Sequence, residues 1–263
     1  MATTNTYTNA KAVLRGNTTV YTAPSAGTSI IKSIRVSNND TANDRTIKIT
    51  VTDSDSVVYT LETERTIQKK TSEELLKYYQ DWTNNNKYNK DMVDWNYTAP
   101  QETVSVLKKY AFNKNLKILD AGCGTGLVGI ELKKYGYLNI EGIDFSKNML
   151  DLVPKDVYQK IEKVDLNKTL KFKDNIYDIV MCVGTFTYGH VKPEALDELI
   201  RITKDKGLIC FTINEGIYEE YGFDNKIKEL SDNKSWNVKE FFKSNYIKTK
   251  GVEAWLCLAE IIK

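Results

Sequence analysis

"ILDAGCGTG", residues 118–126, decides how this 263-residue chain is read. An apolar run ends in Asp120, and glycines follow at 122, 124 and 126. Glycine permits a tight bend and removes the Cβ atoms that would hold a ligand away from the backbone. In an open parallel sheet, ligands bind beyond the carboxyl ends of the strands, near the point where strand order reverses. The flanks have the pattern such a motif needs: a strand over 116–121 and a helix over 127–135.

Downstream, strands and helices alternate. The pattern predicts a strand at 139–143, a short helix at 146–152 and a weaker strand near 159–164. "YDIVMCVG" (177–184) is an almost unbroken apolar run, as a central parallel strand would be. A helix at 193–204 and a strand at 207–213 follow. Repeated βα units predict a doubly wound parallel sheet with helices on both faces. "WNVKEFFKSNY" and "VEAWLCLAEII" flank Lys250-Gly251 and predict an antiparallel hairpin at the sheet edge. Upstream, "TSEELLKYYQDW" predicts a helix, "NNNKYNKDMVDWNYT" a loop, and Pro100 the start of a helix over roughly 101–112.

The glycine spacing separates ligand types. A dinucleotide fingerprint, G-x-G-x-x-G, would need glycine at 127, where Leu127 stands. Asp144 ends the second strand, twenty positions after Gly124. An acid there accepts hydrogen bonds from ribose hydroxyls and repels a 2′-phosphate. Asp165, after the third strand, is placed to accept from an adenine amino group. One such acid is commonly a solvated loop residue; three on successive strands form a pattern.

These residues carry a resemblance. "LKILDAGCGTGLVGIELKKYGYLNIEGIDFSKNMLDL" and "KVDLNKTLKFKDNIYDIVMCVGTFTYGHVKPEALDELIRITKDKGLICFTIN" resemble class I S-adenosylmethionine-dependent methyltransferases. "YYQDWTNNNKYNKDMVDWNYTAP" is similar to the Williams–Beuren-region methyltransferase-like branch. The resemblance covers about residues 71–263. It implies a Rossmann-like seven-stranded sheet with the last strand antiparallel, and S-adenosylmethionine as cofactor. It also implies site roles. Asp120, Gly122, Cys123 and Gly124 would line the methionine moiety, Asp144 would hold the ribose, and Phe145 and Met149 would flank the adenine. Asp165 and Leu166 would meet the adenine edge, Val183 and Gly184 would lie beneath the sulfonium, and Tyr79 and Trp82 would close over the site. Tyr88 and Tyr188 are further aromatic faces for a cation. His190 is the one histidine, a residue type whose unperturbed pKa suits a general base, and Tyr188 is a weaker candidate.

Composition limits the partners. Net charge is +2, so no electrostatic footprint for nucleic acid or an anionic membrane is expected. After the fourth strand the chain reads "GTFT", unlike the N/D-P-P-Y/F tetrapeptide of amino-methylating DNA enzymes, and it has no Pro-Cys pair. A small-molecule acceptor, methylated on nitrogen or oxygen, is the expectation, with residues 83–98 and 214–235 forming its pocket. The four cysteines are widely spaced, which fits a reducing, cytoplasmic setting without metal or disulfides. No apolar run reaches the ~18 residues of a membrane span.

Residues 1–66 differ. "RTIKITVTD" alternates with period 2, and "SIIKSIRVS" and "SVVYTLE" also read as strands. They predict a small all-β module resembling short modules of tailed-phage structural proteins. The expected role is attachment or oligomerisation, through self-association or a virion partner. The alternative for the whole chain is a virion-associated protein whose methyltransferase fold has little or no activity.

Overall fold

The computed structural model describes the backbone of residues 45–52 and 58–67, together with residues 80–83 and 87–263. The chain divides into two units, Met1–Lys69 and Lys70–Lys263. In the first, β1 (Arg45–Thr52) and β2 (Val58–Ile67) pair antiparallel, with register irregularities on either side of Ile49. The period-2 stretch forms β1. "SIIKSIRVS" lies outside the described residues.

In the second unit, α1 (Lys87–Asp94) and α2 (Ala99–Leu107) lead into the sheet. Then come β3 (Ile118–Ala121), α3 (Leu127–Lys134), β4 (Ile140–Asp144), α4 (Lys147–Leu150), β5 (Lys160–Lys163) and β6 (Tyr177–Phe186). The chain closes with α5 (Ala195–Ile202), β7 (Thr203–Asn214), α6 (Phe223–Asp232), β8 (Trp236–Ile247) and β9 (Val252–Ile261). The strand order is β5-β4-β3-β6-β7-β9-β8. Six strands run parallel and β9 opposes its neighbours β7 and β8. The doubly wound α/β sheet expected from the sequence is therefore present, with its last strand antiparallel.

The central strands are apolar on both faces because both faces are covered. Along β6, Ile179, Met181 and Val183 enter one core with Val104 and Leu107 of α2 and Leu132 of α3. Val180 and Cys182, between them, enter the other with Leu196 and Leu199 of α5 and Phe223 of α6. All four cysteines are free and buried, and they serve these cores and the glycine bend.

One reading changes. Residues 84–98 were expected to be loop, yet Lys87–Asp94 is helical. Its apolar content is small, with Met92 its one buried residue, so periodicity was too faint to mark it. The tail hairpin stands at the sheet edge as expected, with β9 paired to β7 and β8 outermost. Leu256 and Cys257, on opposite faces of β9, are completely buried, as a central position requires. Among the described residues no helix is long and apolar enough to cross a membrane.

Candidate functional site

The sheet order reverses between β3 and β6, and the glycine bend leaves β3 at that point. Gly122 and Cys123 both donate their backbone N–H to the Ile143 carbonyl at the end of β4, at 2.7 and 2.9 Å. The bend is thus bolted to the neighbouring strand. Its glycines serve different neighbours. Gly122 has φ +80°, and a Cβ there would stand 2.0 Å from Thr185 Oγ1 on β6. Gly124 has φ +53°, and a Cβ there would meet nothing within 4 Å. That open space is a cleft of about 1030 Å³, mouth included, which Gly124 lines. The side chain missing at 122 makes room for the protein itself; the one missing at 124 leaves room for something else.

Asp144 closes one side of the cleft. Its Oδ2 accepts the Gly124 N–H at 2.9 Å and its Oδ1 accepts the Ser146 N–H at 2.7 Å. Burial pushes its pKa up, and the backbone donors work against that shift. The carboxyl is held rigidly, and each oxygen keeps a lone pair for a further donor. Ser146 caps α4 by accepting from Met149 N, which sets Met149 in the cleft wall.

Asp165 lies two residues beyond β5. Its Oδ1 accepts the Asn167 N–H at 3.0 Å, and Lys168 pairs with it at 3.5 Å. The segment is stapled to α5: Glu198 accepts the Leu170 N–H at 2.7 Å, and Arg201 donates to the Leu170 and Phe172 carbonyls at 2.9 Å each. The Arg201 guanidinium holds the Glu198 carboxyl below its usual range. Asn167 then clamps the loop after β6. Its Nδ2 donates to the His190 carbonyl at 3.1 Å, and its Oδ1 accepts the Lys192 N–H at 3.1 Å.

The fold brings most of the expected residues to one place. Gly122, Cys123 and Gly124 line the cleft at the bend. Asp144, Phe145 and Met149 line it from the β4 end, and Asp165 and Leu166 from the β5 end. Val183 and Gly184 line it from β6, with His190 beyond them. Thr187 Oγ1 and His190 Nδ1 lie 2.9 Å apart.

Three residues stand elsewhere, and one lies outside the described residues. Asp120 does not line the cleft: it is completely buried beneath the bend, where Tyr158 Oη donates to its Oδ2 at 2.6 Å. Trp82 does not line the cleft, and its indole N–H donates to Asp91 Oδ2 at 2.7 Å. Its ring packs edge-on against Tyr88, with centroids 4.8 Å apart, and Tyr88 lines the cleft instead. Tyr188 leans away onto the Glu215–Ile217 turn, so that a Cβ at Gly216 would stand 2.2 Å from its hydroxyl. Tyr79 lies outside the described residues.

Sequence reasoning missed Tyr97 and Pro100 as wall residues. Tyr97 reaches Gly184, where a Cβ would meet its hydroxyl at 2.4 Å. It also missed the bond that ties the bend to α1, from Thr125 Oγ1 to Asn89 Oδ1 at 2.6 Å. No local pattern marks either pairing, since the partners lie 36 positions or more apart.

Residues 119–211 match the family model described as a methyltransferase domain. Human methyltransferase-like protein 27 is 33% identical over 141 residues, 52% of this chain and 56% of that protein. The malonyl-[acyl-carrier protein] O-methyltransferase of Buchnera aphidicola is 32% identical over 136 residues, 51% of this chain and 53% of that protein. The chain thus spans about half the length of the curated relatives it matches. Among solved structures, a putative methyltransferase in complex with the Haloferax volcanii Trm112 activator aligns with TM-score 0.54 and 16% identity. That alignment covers 70% of this chain and 98% of the other. Magnesium protoporphyrin IX methyltransferase from Synechocystis, with bound S-adenosylmethionine, aligns with TM-score 0.51 and 17% identity, over 71% and 96%. On the strand order and these alignments the sheet has the Rossmann-like α/β fold of class I S-adenosylmethionine-dependent methyltransferases, and within it residues 119–211 match the model of a methyltransferase domain.

Proposed function

We propose that the protein is an S-adenosylmethionine-dependent methyltransferase acting on a nitrogen or oxygen atom of a small-molecule acceptor. The observation that carries this reading is the Gly124–Asp144 pair. A backbone N–H fixes a carboxyl at the tip of β4, beside a glycine whose missing Cβ opens on the cleft. Asp144 has the chemistry to accept from ribose hydroxyls, and Asp165 to accept from an adenine amino group. The bound cofactor supplies a methyl group already activated on a positive sulfur. The chain's own task is to orient the acceptor, for which an effective molarity of about 10^5–10^8 M is available. Tyr88 and Tyr97 line the same cleft, and an aromatic face turned to a cation is worth ~0.5–2 kcal/mol.

The cleft wall also bears on the acceptor. The described lining residues include the carboxylates Asp144 and Asp165 and no lysine or arginine, although Lys168, not itself in the lining, pairs with Asp165. An acceptor with a carboxylate or phosphate at its reacting end would find no countercharge there, so an uncharged amine or hydroxyl fits better. His190 is proposed as the general base where the acceptor must lose a proton, with Tyr188 in the supporting loop. The Williams–Beuren-region branch, the β-module's attachment role and a cytoplasmic setting belong to this proposal too.

Calorimetric titration with S-adenosylmethionine tests the reading: micromolar binding abolished by Asp144→Ala supports it, and no heat at millimolar cofactor refutes it. Labelled cofactor with a metabolite extract then identifies the acceptor. His190→Gln should lower kcat with little change in the affinity for S-adenosylmethionine, and an unchanged kcat would remove His190 from the role of base.

A further inference from the structure

The carboxyl beneath the bend has no task in the account above. Asp120 is completely buried, and its Oδ1 has no hydrogen-bond partner. A buried acid is ordinarily paired, because an unsatisfied polar atom or an uncompensated charge is costly. Burial and the neighbouring Asp144 raise its pKa, the Tyr158 hydroxyl and the Gly129 backbone N–H oppose that rise, and its own charge raises those of Cys123, Cys182, Tyr97 and Tyr158. No lysine, arginine or histidine is among them. The cleft wall formed by Gly122–Thr125 begins two positions further along the chain.

Tyr158 shows that the arrangement is built. Its ring enters a space that three glycines leave clear. A Cβ at Gly129 would stand 2.4 Å from the ring and 2.5 Å from its hydroxyl. At Gly142 and Gly126 a Cβ would come within 3.2 and 3.3 Å of the ring. Gly129 lies inside α3 and Gly142 inside β4, where glycine costs ~0.5–1 kcal/mol relative to alanine. The tyrosine hydroxyl delivered through this gap donates to Asp120 Oδ2 and leaves Oδ1 bare.

We propose that Tyr158 is a positioning residue that holds the Asp120 carboxyl beneath the glycine bend as a buried countercharge, so that binding of a cationic ligand in the cleft is coupled to ionisation of Asp120. This rests on the cofactor reading, since S-adenosylmethionine carries the required positive sulfur. With the cleft empty, burial and Asp144 push the Asp120 pKa up to about 7, and the Tyr158 hydroxyl restrains it. A cation above the bend favours the carboxylate, so binding releases the proton to solvent.

The test uses the full chain and S-adenosylmethionine. Calorimetry at pH 7 in buffers of different ionisation enthalpy should show release of about half a proton on binding, and affinity should rise between pH 6 and 8. Asp120→Asn should release none and bind with a flat profile. Tyr158→Phe removes the hydroxyl that favours the carboxylate, so its profile should move up by about one pH unit. A purely structural role would weaken binding equally at every pH, and that outcome, or a wild-type profile without proton release, overturns the proposal. If S-adenosylmethionine does not bind at all, the cofactor reading fails, and carboxyl 13C titration of the ligand-free protein decides separately. A midpoint near 7 that rises in Tyr158→Phe upholds the positioning role; an ordinary aspartate midpoint near 4 in the wild type refutes it.

Discussion

Asp144→Asn separates binding from folding, and its two effects have different sizes. In the empty protein the carboxyl accepts one N–H on each oxygen, from Gly124 and Ser146. The amide keeps one acceptor and turns an NH2 group toward the other donor. Leaving a buried donor unpaired costs about 1–3 kcal/mol. Opposing this, burial raises the Asp144 pKa despite both donors, so removing the charge relieves a desolvation cost. The net stability change is therefore small. In a unit of roughly 190 residues, melting should move by no more than about 5 °C. Ligand binding has no such compensation. A hydroxyl bonded to a carboxylate contributes about 1.5–3 kcal/mol, against about 0.5–1.5 for a neutral acceptor. Two ribose hydroxyls then lose about 2–3 kcal/mol together, or roughly 30- to 150-fold in Kd. Calorimetry with S-adenosylmethionine reads the affinity, and scanning calorimetry of the same samples reads the stability. An affinity within threefold of the parent, or a melting drop above 10 °C with affinity kept, would show that Asp144 serves the loop and not the ligand.

The remaining predictions use the same site. Gly122→Ala places a Cβ against Thr185 at positive φ, and strain plus overpacking should cost about 2–5 kcal/mol, seen as a large fall in melting temperature. Gly124→Ala meets no atom, so it should lose only the ~1–2 kcal/mol of backbone strain yet bind S-adenosylmethionine more weakly. The folded pKa of Asp120 is raised, so its contribution to stability is complete below pH ~4 and is lost as pH rises to about 7. Denaturant midpoints of Asp120→Asn should therefore gain on the parent steadily over that window, and parallel curves would refute the assignment. Thr125→Val removes the bond to Asn89, about 0.5–1.5 kcal/mol, and should speed amide exchange in α1 while leaving β6 unchanged.

Much was legible in the residues themselves. The D-x-G-x-G-x-G bend, acids at the tips of successive strands and the unbroken apolar run of β6 are local patterns. Local patterns follow from backbone sterics and from the need of a doubly covered strand to be apolar throughout. They were enough for the α/β class, the strand sequence and the end of the sheet that carries the cleft. They were weakest where chemistry is polar and short, as at α1, whose asparagines and lysines hid its helical period.

What tertiary structure alone decided concerns residues far apart in the chain. Composition and spacing cannot tell that Gly122 makes room for Thr185, or that Gly129 and Gly142 admit the ring of Tyr158. They cannot tell that Asp120 turns under the bend while Asp144 faces the cleft, although both are aspartates at the ends of neighbouring strands. The physical reason is that a carboxyl's role depends on which donors, charges and open spaces surround it. Those are set by the packing of β3 against β4 and β6, whose residues meet only once the sheet has closed.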